Sequence, residues 1–361
     1  MHKRFPAYPV LFFLVLVLVF FTACGSRDQV EEEIPADAET TEVIPPPQTT
    51  SEPAAESGET KPDEPPANDD FALASEGIRP LAVMIDNEGS KVLPQGGLDK
   101  AQIIYEIIVE GGLTRLMPIF WGTNPEMIGP VRSARHYFLD YCMEYDAIYV
   151  HYGESPQADR DIGKFKINEI DGIILGPDVF WDLTKDPGNW QDSYTSMEKL
   201  KAYAQKRKYK STTEVKFPFT YNQSDVIPAA GQPAPAVTLK YPSMTVKYEY
   251  DGSTGLYSRF RYGKPHMERV SGEQLKAKNI IVMFVPNYDI KGDPAGRQEM
   301  DTTGSGKGYF ITGGKAVKIK WSKESRSSQT KYADEEGNPI TLNRGQTWIQ
   351  IMPVAAKVTF E

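Results

Sequence analysis

Arg132 and Arg135 flank Ser133 in the run Gly129-Pro130-Val131-Arg132-Ser133-Ala134-Arg135-His136. Forked guanidinium groups match the oxygens of phosphate or carboxylate. A helix capped by Ser133 would add free backbone N–H groups and the positive end of its dipole. This spacing predicts an anion clamp, with Asp86, Asn87 and His151 lining the same cleft from strand ends. A second reading stays open: both arginines pair internally with Asp86, Glu106 or Glu110 and brace a helix against a sheet.

Hydrolytic chemistry needs a base, and Asp86, Glu110 and His151 are the candidates. Glu106 and Glu110 would share a strand face with backbones about 13 Å apart at ~3.3 Å per residue. That is wider than the ~5–9.5 Å separating paired carboxylates in glycosidases. Ser133 with His151 and Asp86 offers a serine triad in principle, but capping already explains a serine there. Ser155 in Gly153-Glu154-Ser155-Pro156-Gln157 lacks the second glycine of a nucleophile elbow. Among the histidines of the exported part, His136, His151 and His266, no two stand at metal-ligand spacing, so neither metal nor cofactor is expected. Asp289, Asp293, Glu299 and Asp301 are acidic without EF-hand order. Gly304-Ser305-Gly306-Lys307-Gly308 fails as a phosphate loop: Asp301 stands where the first glycine belongs, and Gly308 replaces the hydroxyl residue. It reads as a turn before a strand over 309–312.

The elements that would position these groups follow from periodicity. Leu81 to Ile85 is a short apolar strand ending at Asp86-Asn87. Residues 103–110 and 114–121 form a hairpin about Gly111-Gly112. From Ser133, the spacing of Phe138, Tyr141, Cys142 and Tyr145 predicts a helix, and 147–152 another strand. Thr195 with Glu198 suggests a capping box for a helix reaching about Lys208, basic on its solvent face. Gly231 to Pro235 marks a linker. Beyond it the pattern is β, with a hairpin over 246–260 and strands at 280–285, 315–321 and 348–351.

The N-terminus sets location. His2, Lys3 and Arg4 precede an apolar run from Val10 to Phe21 that is too short for the ~20 residues of a membrane span. Phe21-Thr22-Ala23-Cys24 resembles a lipobox, which implies cleavage before Cys24 and a diacylglycerol on its thiol. Residues 25–70 carry fourteen acids against two bases, Arg27 and Lys61, and no aromatic residue. Such a stretch buries too little to fold and reads as a disordered tether. The tether accounts for the net charge of −9, leaving the folded part near neutral and without a nucleic-acid-binding face. Cys142 is the only other cysteine, so with Cys24 acylated no intrachain disulfide can form.

Several stretches together resemble the YerB-like lipoproteins, a family described as a domain of unknown function with N- and C-terminal parts. They are Arg79 to Asn87, Gly97-Leu98 with Ala101, Glu106, Glu110 to Gly112 with Arg115, Gly129 to Arg135, and His151 to Ser155. Tyr257 to Arg259 and Gly345 to Ile349 extend the match. The resemblance implies export, a shared polar site and no established reaction. The expected organisation is a signal peptide over 1–23, the acylated tether over 24–70, an α/β domain with a mixed sheet over 71–230, and a β-rich domain over 236–361: an α+β protein. The expected role is an extracytoplasmic, membrane-anchored binding or scaffolding module for an anionic cell-wall component or envelope protein. An envelope-polymer hydrolase and a purely protein–protein interaction lipoprotein are the alternatives.

Overall fold

The sheet that positions the site is built from both halves of the chain. The computed structural model describes residues 71–186 and 188–361; Cys24, the signal segment and the tether lie outside them. In the first half, β1 (Leu81–Val83), β2 (Ile103–Ile108), β3 (Thr114–Phe120), β4 (Ile148–His151) and β5 (Glu169–Asp171) alternate with α1 (His136–Met143), α2 (Pro156–Phe165) and α3 (Met197–Lys206). The second half contributes β6 (Gln232–Pro233), β7 (Ala236–Lys240), β8 (Thr245–Asp251), β9 (Leu256–Arg261), β10 (Asn279–Val285), β11 (Gly304–Thr312), β12 (Lys315–Lys323), β13 (Thr347–Pro353) and β14 (Lys357–Phe360).

A twelve-stranded mixed sheet runs β6-β12-β11-β10-β13-β2-β3-β1-β4-β5, with two further short strands on its flanks. β13 enters between β10 and β2, parallel to both, with Ile349 opposite Tyr105 and Gln350 opposite Glu106. The boundary expected at 231–235 is therefore one of sequence, and the sheet runs across it. The linker itself, as β6, pairs with β12. β2, β3 and β13 are buried along their whole length, as expected of central strands covered on both faces. β7, β8, β9 and β14 form most of a second, six-stranded antiparallel sheet. The architecture is α+β with a β-rich C-terminal part.

Three local expectations need correction. Ser133 does not cap α1. Arg132 and Ala134 are held extended by hydrogen bonds from Arg132 N to Met84 O and from Ala134 N to Gly153 O. The helix therefore starts at His136, with Arg135 as its uncapped N-terminal neighbour. In α3 the cap is Ser196, whose hydroxyl accepts from Lys199 N, because the Thr195 hydroxyl is committed to Val179 O. The glycine-rich stretch 304–308 is strand throughout. A Cβ at Gly306 would lie 2.5 Å from the Trp321 indole nitrogen, so the missing side chain makes room for Trp321 across the hairpin.

Candidate functional site

A cleft of about 340 Å³ opens where β3, the segment before α1 and a loop from the second half meet. Asp86, Glu88, Glu110, Arg115, Arg132, Arg135 and Arg297 supply its charge, four guanidinium groups against three carboxylates. Of the residues predicted from sequence, Asp86, Glu110, Arg132 and Arg135 are brought together here. Arg115 enters because β3 pairs antiparallel with the short strand Ile85–Asp86, which sets it opposite Asp86.

The pairings differ in completeness. Arg135 grips Glu110 with two hydrogen bonds, Nε to Oε1 at 2.5 Å and Nη2 to Oε2 at 3.1 Å, and Nη1 donates to Ala134 O. Arg132 Nε lies 3.0 Å from Asp86 Oδ2, but the geometry makes no hydrogen bond, and that buried nitrogen has no acceptor. Glu88 stands 3.9 Å from its Nη2. Arg115 is buried, donates to the Ser133 carbonyl, and has no carboxylate within ion-pair distance among the described residues. Arg297 is held by Asp293 at 2.9 Å, and its Nε also has no acceptor.

Electrostatics follow this arrangement. Burial, reinforced by the charges of Arg135 and Arg132, pushes the Arg115 guanidinium down to about 10. Burial also lowers Arg132, against the pull of Asp86 and Glu88. For Glu110, burial pushes the carboxyl up, but the Arg135 hydrogen bonds and the charges of Arg135 and Arg115 outweigh it and leave it below its usual range. A carboxylate so stabilised is a weak general base. Arg115, Arg132 and Arg135 are thus crowded into a partly desolvated space, while Arg297 is paired with Asp293. An incoming anion would relieve the like-charge repulsion among the three guanidinium groups.

The other predicted residues lie elsewhere. Asn87 is fully buried just past the short strand Ile85–Asp86, and its side chain joins a different network. Its amide donates to Glu106 Oε1 at 3.1 Å and Thr114 Oγ1 at 2.8 Å. Ser133 meets the cluster through its carbonyl, and Ser155 caps α2. His151 does not line the cleft. Its Nδ1 is 2.9 Å from Gly153 O and its Nε2 is 2.9 Å from Glu169 Oε2. A carbonyl can only accept, so Nδ1 carries a proton; Nε2 facing a carboxylate carries one too. Ligand atoms of His151, Glu154 and Asp171 fall within 4.8 Å of one another. Yet an imidazole with both nitrogens donating has no lone pair for a cation. Asp171 Oδ1 meanwhile accepts from Gly153 N and Ile173 N. His151 is thus a buried imidazole paired with Glu169, with Asp171 3.7 Å away.

Sequence reasoning missed Arg115, Glu88 and Arg297 as cleft residues. Arg115 did carry a signal: it is the one charged residue of β3, Thr-Arg-Leu-Met-Pro-Ile-Phe, where every neighbour is buried. Glu88 and Arg297 come from loops, and Arg297 from the other half of the chain, so no local pattern marks them.

Residues 72–210 match the family described as protein of unknown function (DUF3048), N-terminal domain, and residues 237–349 match its C-terminal domain. "Putative lipoprotein YerB" of Bacillus subtilis (strain 168) is 33% identical over 279 residues, 76% of this chain and 81% of that protein. The chain belongs to this YerB-like family. The crystal structure of YerB protein from Bacillus subtilis superposes with a TM-score of 0.69 at 28% identity, covering 78% of this chain and 94% of that one. The YerB-like fold therefore covers the cleft and both halves that form it. Among the described residues, no helix is long and apolar enough to cross a membrane.

Proposed function

We propose that this protein is a lipid-anchored, extracytoplasmic module that binds an anionic envelope component in the cleft of Arg115, Arg132 and Arg135. The observation that carries this reading is Arg115, a buried guanidinium beside two others and without a carboxylate partner. A buried charge without a counterion costs several kcal/mol. Buried Arg261 also lacks a carboxylate partner but is enclosed by two carbonyl acceptors and the Met244 thioether, whereas Arg115 lines a cleft. Anchoring at Cys24 is part of the same proposal and is supported by the lipobox-like sequence and by the name of the relative from Bacillus subtilis. A hydrolytic role for His151 gains no support from its position outside the cleft. Asp86 and Glu110 face arginines, which suits them to orienting the clamp.

Titration with inorganic phosphate, followed by calorimetry and thermal shift, tests this reading. The expected result is saturable binding that raises Tm and weakens with salt. Arg115→Met and Arg132→Met should each weaken binding at least tenfold, since a charged hydrogen-bonded contact contributes about 1.5–3 kcal/mol. Unchanged affinity in both variants would sink the proposal.

A further inference from the structure

Resting on the anion-binding reading, we infer that the cleft takes an anionic sugar, with Trp190 as the platform for its ring. Trp190 is 57% exposed, while Trp121, Trp321 and Trp348 are almost completely buried. Its ring lies against Arg132, whose guanidinium carbon is 4.0 Å from the ring centroid. The loop carrying it is fastened at the cleft edge: Gln191 Nε2 donates to Asp86 Oδ2 at 3.3 Å, and Leu183 N bonds to Asp192 O at 3.0 Å. A large aromatic side chain is thus held against Arg132, a residue of the cleft wall, and still left open to solvent. Such a surface is where a ligand with an apolar face docks.

The carboxylates narrow the ligand further. A site for phosphate alone gains nothing from Glu88, which is 44% exposed and only loosely near Arg132. Asp86, Glu88 and Glu110 nonetheless stand among the arginines around the same space. Guanidinium donors match an anionic group, and the Glu88 carboxylate, which accepts no hydrogen bond among the described residues, matches a hydroxyl donor. A ring bearing both, with an apolar C–H face to lie on an indole, is a phosphorylated or carboxylated sugar. An acidic peptide offers the anion but few hydroxyl donors. The cleft is also of the right order, since small-ligand pockets start at roughly 300 Å³.

Three probes separate the parts of this inference: inorganic phosphate, glycerol 3-phosphate and glucose 1-phosphate, each measured calorimetrically on the folded protein. Glucose 1-phosphate should bind about tenfold more tightly than glycerol 3-phosphate, the scale of one good aromatic contact. Trp190→Ala should erase that difference while leaving glycerol 3-phosphate affinity and Tm unchanged, and Trp190→Phe should restore most of it. Equal affinity for the two organic phosphates in the unaltered protein would overturn the sugar inference and leave the anion reading standing. If Trp190→Ala weakens all three probes alike, Trp190 serves only to hold Arg132, and the inference fails as well. Absence of binding by any probe would overturn the anion reading itself.

Discussion

Two arginine–carboxylate clusters sit in this molecule, and they are built to opposite specifications. Around Arg259 and Glu106, both fully buried, each donor meets an acceptor. Arg259 gives Nη2 to Glu106 Oε2 at 2.8 Å, Nη1 to the Tyr248 hydroxyl at 2.7 Å and Nε to His266 Nδ1 at 2.9 Å. His266 must therefore keep its proton on Nε2, which faces Gln95 Oε1, and Gln95 in turn donates to Asn87. Asn87 and Thr114 close the circuit on Glu106 Oε1. Burial and the nearby charges of Arg259 and Arg261 hold His266 well below its usual range, so it stays neutral and fits the one proton the circuit allows. Trp348 of β13 covers the Arg259 guanidinium at 4.2 Å. In the cluster of Arg115, Arg132 and Arg135 with Asp86, Glu88 and Glu110, Arg115 has no carboxylate within ion-pair distance among the described residues, Arg132 Nε has no acceptor, and one side is open. A closed network fixes the two halves of the chain to each other; the open one sets a guanidinium without a paired carboxylate at the wall of a cleft.

The largest effects should come from breaking the closed network. Glu106→Gln or Arg259→Met leaves a buried charge without its partner and should cost about 3–5 kcal/mol, a fall in Tm of roughly 10 °C. Replacing both by apolar residues, Glu106→Leu with Arg259→Met, should recover a large part of that loss, because the orphaned charge is gone. In the cleft the sign should differ. Arg115→Met removes a buried cation crowded by two others and should leave Tm unchanged or slightly higher while abolishing protection by phosphate. Equal destabilisation at the two clusters would erase the distinction between them.

Much of this was legible in the chain. The hairpin over 103–121, the helix packed on it and the β character after residue 236 all follow from periodicity, because central strands here are continuous apolar runs. The pairing of β13 with β2 was not legible: it joins residues about 240 positions apart, and nothing local specifies a partner strand. The same limit governed the site. Asp86, Glu110, Arg132 and Arg135 stood out as charges beside apolar strands. Whether they were clamp or brace depended on Arg115, one position in a buried strand. Asn87 and His151 looked equivalent to Asp86 by type. Asn87, just past the strand end, gives its amide to Glu106 and Thr114 in the closed network, and pairing with β5 gives His151 to Glu169.

A smaller effect should separate the clusters by acid. Glu110 is held below its ordinary value of 4.5 because Arg135 outweighs its burial. A carboxyl with a lowered folded pKa contributes stability that is present above its unfolded value and lost as pH falls through the folded one. Glu110→Gln should therefore flatten the acid limb of a Tm-versus-pH curve below about pH 4.5. A variant with the same acid slope as the unaltered protein would mean that Arg135 and Glu110 are not coupled.

The smallest effect belongs to His151, which belongs to neither cluster. Burial lowers its pKa, but the Glu169 hydrogen bond and the charges of Asp171 and Glu169 outweigh it, so it lies above the ordinary 6.5. Glu154 faces it from the loop after β4, and the Tyr149 ring packs 5.3 Å away on the same strand. A histidine with a raised folded pKa stabilises fully below its unfolded value, and that contribution is lost as pH rises through the folded value. Between the two values the folded protein holds a proton that the unfolded chain releases. His151→Gln keeps an amide donor for one of Gly153 O and Glu169 but cannot carry the charge. Its Tm should therefore vary less than that of the unaltered protein as pH rises from about 6.5. Phosphate affinity, corrected for the ligand's own ionisation, should be the same in both proteins across that range, since His151 does not line the cleft. A shift in affinity that tracks His151 would place it in the binding site and require the division between cleft and scaffold to be redrawn.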